Sequence, residues 1–215
     1  MTRVTTGPEA LSGNLSTAVL VLRLGAAINS IRAVQRWTLQ KSRAEGRVGD
    51  LDRFQAYIVA AAYFTEACKL FWRNRKLVLD LAQKGSADDK NVESLLLIAD
   101  PEAKIQKDLL KWIRDREAFH WDCDVFERWA DAQKSEIVWL QAEGDTRAGE
   151  VVWASYEAVC EFTAGLPHGS SQPDLRERIK EQVGAVADSA EVVCSVFECA
   201  VEGFLKLNGA VWKAA

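Results

Sequence analysis

Only two histidines occur in this 215-residue chain, too few to complete a convincing zinc set with the cysteines present. Those cysteines, Cys68, Cys123, Cys160, Cys194 and Cys199, are odd in number and lack the paired spacing of a metal ribbon, so they read as reduced thiols of a cytoplasmic protein. An apolar signal core is missing from the opening MTRVTTGPEALSG. The longest apolar run, Ala18 to Ile28, is interrupted by Arg23 and is shorter than the ~20 residues of a bilayer crossing. A membrane partner is therefore not expected. No glycine-rich phosphate loop, Gly-x-Ser-x-Gly elbow, internal repeat or low-complexity tract appears. Positive charge is not in excess either: the net charge is −4 and the pI about 5.4. A site for RNA would have to be a local basic patch on an acidic molecule.

What the chain does have is apolar material, 48% of its residues, enough for one well-buried core, with or without an appended subdomain. Residues 1 to 13, with Gly7, Pro8 and Gly13, read as a flexible lead-in. A first helix is expected from Asn14 or Ser16 to about Lys41, with Leu15, Val19, Leu22, Ala26 and Ser30 along one face and small Gly25, Ala26 and Ala27 permitting close approach of another helix. After a polar loop, Ser42 to Leu51, a second helix should run from about Asp52 to Lys84, carried by Phe54, Ile58, Ala61, Thr65, Cys68, Trp72 and Leu79. Within it Arg73, Asn74, Arg75 and Lys76 form a short basic cluster, which reads first as a solvated face. Gly85 to Asp89 closes that helix, and Val92 to Ile98 is a short one.

From Ser135 the pattern changes. Glu136 to Leu140 is rich in β-branched and aromatic residues, and Glu143 to Gly149 resembles a turn before Val151, Val152 and Trp153. Residues 136–153 read as a small hairpin or extended segment, or else as a helix ended by Gly144. His168 lies in the loop Gly165 to Pro173, after which a long last helix continues to about Asn208 on Ile179, Val183, Val186, Ala190, Val193, Phe197, Val201 and Leu205. That stripe can pack on the same core or against a second copy. The expected architecture is an all-α bundle with long antiparallel helices, at most one small hairpin, and a long C-terminal helix: lead-in 1–13, helical domain 14–165, C-terminal helix 166–215.

Chemistry concentrates between Asp100 and Glu127. Asp100 followed by Pro101 is a helix start, and a 3.6-residue period then puts Lys104, Lys107, Lys111 and Arg114 on one ridge. Ile105, Leu109, Trp112, Ile113 and Phe119 fall on the opposite side. Asp124 and Glu127 make a capping box for a further helix, so the first should break between Ala118 and Asp124 and bring His120 to the surface. If the helix instead ran through, Arg116 and His120 would sit one turn apart on the apolar side.

Arg114, Asp115 and His120, with five positions between arginine and histidine, resemble the signature of the HEPN superfamily of small helical proteins. The flanks, Leu110 to Arg114 and Phe119 to Asp122, are similar to those of prokaryotic HEPN groups, and the general layout extends over roughly residues 15 to 165. The resemblance implies a metal-independent endoribonuclease of a toxin–antitoxin or phage-defence setting, without a cofactor. His120 would be general acid or base, Arg114 would hold the phosphate and Asp115 would orient one of them. Lys104, Lys107, Lys111 and Arg116 would guide the substrate, and two such motifs would meet across a homodimer. The reading from another class is a helical RNA- or protein-binding subunit, antitoxin-like or a scaffold.

Overall fold

The structure is a computed structural model, in which residues 2–6, 10, 14–41, 46–103, 141–142, 150–151 and 172–214 are described. Among these the fold is all-α. Four helices, α1 (Leu15–Lys41), α2 (Gly46–Lys84), α3 (Asp89–Ala99) and α4 (Gln172–Leu207), are accompanied by two small ribbons. Strand β1 (Thr2–Thr5) pairs antiparallel with β4 (Val211–Ala214), and β2 (Gln141–Ala142) with β3 (Glu150–Val151).

Local chemistry accounts for the helix ends. Asn14 caps α1, its Oδ1 accepting from the Thr17 N–H at 3.2 Å, and Asp88 caps α3 through the Lys90 N–H at 2.7 Å. At the end of α2 the Ala87 N–H donates to the Ala82 carbonyl (2.9 Å) and the Ser86 N–H to Gln83 (3.0 Å), a paired closure that puts Ser86 at φ +68°. The end of α4 repeats this closure, Ala210 donating to Leu205 and Gly209 to Lys206, with glycine in the left-handed position, φ +63°. Inside α2, Asn74 leaves helical geometry (φ −121°, ψ 18°) while its Nδ2 donates to the Leu70 carbonyl at 2.8 Å. A side-chain amide thus takes the acceptor that the helical ladder would use, and the helix kinks.

Two units make up the chain. The first comprises Met1–Ala33, Tyr63–Lys107 and Asp188–Ala215. Its core is built from Leu20, Val21 and Leu24 of α1, Phe64, Phe71, Val78 and Leu81 of α2, Leu95 of α3, and Val193, Val196, Phe197, Ala200 and Phe204 of α4, all buried. The valine, leucine and phenylalanine side chains among them stabilise by about 1.5–3 kcal/mol each when fully removed from water. In this unit α2 and α4 cross backbone to backbone. A Cβ on Gly203 would lie 2.0 Å from the Leu81 carbonyl oxygen, and one on Gly85 would lie 1.8 Å from that of Cys199. Asn91 of α3 adds a bond to Ser195 of α4, Nδ2 to Oγ at 3.2 Å. The second unit comprises Val34–Ala62 and Asp108–Ala187, where Val34, Ala56, Tyr57, Ile58, Ala61 and Val186 are buried.

Several expectations need correction. Residues 2–5 are a strand rather than a loose lead-in, because Thr2, Val4 and Thr5 suit an extended backbone and find a partner in Val211 and Trp212. Helix α2 starts at Gly46, ahead of the expected Asp52, since a helical glycine costs only about 1 kcal/mol and does not enforce a stop. The face of Leu15, Val19, Leu22 and Ala26 is exposed, at 66%, 45% and 63% for the three large residues. The other side of α1, Ala18, Val21, Leu24 and Ile31, makes the core. Both faces are apolar, so periodicity alone could not select between them. Nothing lies within 4 Å of a Cβ built on Gly25. The span Leu15–Trp37 is also long and apolar enough, by length and composition, to cross a membrane.

Candidate functional site

Of the stretch Asp100 to Glu127, only residues 100–103 are described. Helix α3 stops at Ala99 because Asp100 precedes Pro101, and a residue before proline is pushed out of the helical region; Asp100 has φ −59° and ψ 123°. Its Oδ1 accepts from the Glu102 N–H at 2.9 Å, and its carbonyl accepts from the Ala103 N–H at 2.9 Å. An aspartate ahead of a proline, with its side chain on the second following amide, has the geometry of a helix start. Arg114, Asp115, His120, Lys104, Lys107, Lys111 and Arg116 lie outside the described residues, as do the Ala118 to Asp124 break and His168. The paired residues of the second ribbon, Gln141 with Val151 and Ala142 with Glu150, fall within the 136–153 segment that the sequence left between hairpin and helix.

Charge and thiol chemistry elsewhere in the first unit falls into two groups. The first is an ionic cluster that the sequence did not announce. Arg32 of α1 donates to both carboxylate oxygens of Glu191, Nη1 at 2.5 Å and Nη2 at 2.9 Å, and Nη2 also reaches Glu198 at 3.2 Å. Glu191 and Glu198 are two turns apart on α4, so both face α1. Hydrogen bonding to Glu191 holds the Arg32 guanidinium pKa above its ordinary value, against the opposing effect of burial. Between the two glutamates lies Cys194, fully buried. Burial lifts its thiol to about 11, Arg32 pulls the other way, and both carboxylates add to the rise. Burial likewise raises Cys199. These thiols are protonated near neutrality and are poor nucleophiles. Cys68, Cys194 and Cys199 form no disulfide, and no group of three or more metal-ligating side chains occurs among the described residues.

The second group is basic. Arg73, Arg75 and Lys76 are exposed around the Asn74 kink, and the Arg75 guanidinium lies over the Trp72 ring, 5.0 Å from its centroid. Their charge was legible in the sequence, whereas the cation–π contact of Arg75 with Trp72 was not. About one turn before Arg73 the charge is already neutralised, with Lys69 paired to Glu66 at 2.8 Å.

No protein-family model, curated protein or solved structure matches this chain significantly.

Proposed function

We infer that the protein is a metal-independent endoribonuclease of the HEPN type, working in a toxin–antitoxin or phage-defence setting. The observation that carries this reading is the Arg114-Asp115 pair followed by His120 in its Leu110 to Asp122 context. The all-α architecture and the Asp100-Pro101 turn, just ahead of the lysine ridge, support it. In this mechanism the ribose 2′-hydroxyl attacks the adjacent phosphodiester, leaving a cyclic phosphate and a 5′-hydroxyl. His120 transfers the proton, Arg114 donates two bonds to the phosphate oxygens as charge develops, and Asp115 orients one of them. Lys104, Lys107, Lys111 and Arg116 supply the charged approach. Two copies of the chain combine their sites in a homodimer.

Cleavage of RNA in EDTA tests this directly: His120→Ala should bind RNA as before and cut it at least about a hundredfold more slowly. Cleavage that is unchanged in both His120→Ala and Arg114→Ala removes the reading. Sedimentation that shows only monomer at tens of micromolar removes the dimer.

A second reading, a non-catalytic helical subunit that binds RNA, an antitoxin-like chain or another protein, is favoured by one observation. Leu15, Val19 and Leu22 stand exposed on a single stripe of α1, and contiguous exposed apolar surface marks a contact face. Absence of cleavage by the wild type together with capture of a partner through that stripe would establish it instead.

A further inference from the structure

The basic group on α2 has features that a merely solvated face does not need. Arg73, Arg75 and Lys76 fall within four residues, all exposed. The kink at Asn74 interrupts the helix in their midst. Neither Arg73 nor Lys76 has an acidic partner among the described residues; the nearest acids along the helix are Glu66, already bonded to Lys69, and Asp80, one turn beyond Lys76. In a chain of net charge −4 this is a local positive field, of the kind that attracts a polyanion.

The third cation is held differently. Arg75 places its guanidinium carbon over the part-buried Trp72, 5.0 Å from the ring centroid, a cation–π contact that holds a planar cation beside an aromatic ring. Leu77, two residues on, is 36% exposed. Unpaired bases stack on arginine and aromatic planes, while the bases of a duplex are already stacked on each other.

We propose that this surface of α2, with Arg73 and Lys76 taking phosphates and the Arg75–Trp72 pair taking a base, is a docking site for single-stranded nucleic acid. It uses none of the residues of the Arg114–His120 reading and does not rest on the nuclease reading.

A labelled 15-mer of thymidine is the probe, because it lacks the 2′-hydroxyl that the proposed cleavage needs; its binding is read by fluorescence anisotropy across a salt series. Each phosphate held contributes about 0.7 to the slope of log K against log salt for a single strand. The double variant Arg73→Ala/Lys76→Ala should therefore lose about 1.4 of that slope and bind at least about tenfold more weakly at low salt. Arg75→Lys keeps the charge and removes the planar guanidinium; it should weaken binding roughly fivefold with the slope unchanged. A duplex of the same length should compete poorly. Wild-type affinity and slope in the double variant would overturn the site. Equal competition by duplex DNA or by inorganic polyphosphate, phosphate for phosphate, would overturn the assignment to single strands. Loss of cleavage by His120→Ala with thymidine binding intact would leave this surface standing, and the two claims can fail separately.

Discussion

Adding one methyl group at Gly203 should do more damage than almost any other single-atom change in the protein. The new Cβ would lie 2.0 Å from the Leu81 carbonyl oxygen and 2.9 Å from both the Leu81 carbonyl carbon and the Gly85 nitrogen. All three are backbone atoms, so no rotamer change relieves the clash. To reach the 3.4 Å of ordinary contact, α2 and α4 must part by about 1.4 Å at the crossing. Gaps of only ~0.5–1 Å already forfeit a quarter to a half of each dispersion contact. The side chains affected include Val78 and Leu81 on one helix and Ala200 and Phe204 on the other, all buried. Overpacking usually costs about 1–3 kcal/mol, occasionally more; a backbone clash beside a fully packed crossing belongs at ~3–5 kcal/mol. That is a large part of a total stability of ~5–15 kcal/mol, and should lower the melting temperature of a chain this size by roughly 6–20 °C. Gly184→Ala is the matched control. It lies in the same helix, a Cβ there meets nothing within 4 Å, and replacing a helical glycine should add about 0.5–1 kcal/mol. The assay is thermal unfolding by circular dichroism on both variants. A Gly203→Ala protein that melts within 2 °C of wild type would refute the backbone-to-backbone crossing.

Ser86 bears the left-handed position that glycine would occupy more comfortably, so Ser86→Gly should stabilise by about 0.5–1 kcal/mol in urea unfolding; a loss of stability would show that the Ser86 side chain matters for another reason. Burial raises the Cys194 thiol from an ordinary 9.0 to about 11. The unfolded chain then releases its thiol proton first as pH rises, so stability is intact below pH 9 and falls between pH 9 and 11, by on the order of 2–3 kcal/mol at the most. Cys199 acts in the same direction. In Cys194→Ala the decline over that window should be visibly shallower, and an unchanged decline would remove the assignment. Arg32→Met breaks bonds to two half-exposed glutamates, and should cost only about 1 kcal/mol, less in high salt.

Much of the fold could be read from local signals. The ends of α1 at Asn14 and Lys41, the stop after Lys84 and the span of α4 follow from capping residues, glycine and proline, whose effects act within a few residues. Long-range choices could not be read this way. Helix α1 is apolar on two sides, and no local signal selects the side that is buried. On α4 the core passes through Ala200 and Phe204, with Val201 and Leu205 only part-buried. Gly203 must meet Leu81, which selects the turn that faces inward. Gly85 was legible only as the start of the segment that closes α2, whereas its smallness serves the approach of Cys199 while Ser86 adopts the positive φ. The Arg32 cluster joins residues 159 and 166 positions apart, beyond any spacing rule. Of the expected site, the Asp100 turn is the part the structure displays; Arg114, Asp115 and His120 rest on their sequence pattern, outside the described residues.

The chemistry of the product ends tests the central claim most directly. Wild-type protein should be incubated with RNA in EDTA and the new termini identified, with His120→Ala alongside. The account predicts cyclic phosphate on one fragment and 5′-hydroxyl on the other, with at least about a hundredfold less of both from the variant. Fragments ending in 3′-hydroxyl and 5′-phosphate, cleavage abolished by EDTA, or equal yields from the variant would contradict it.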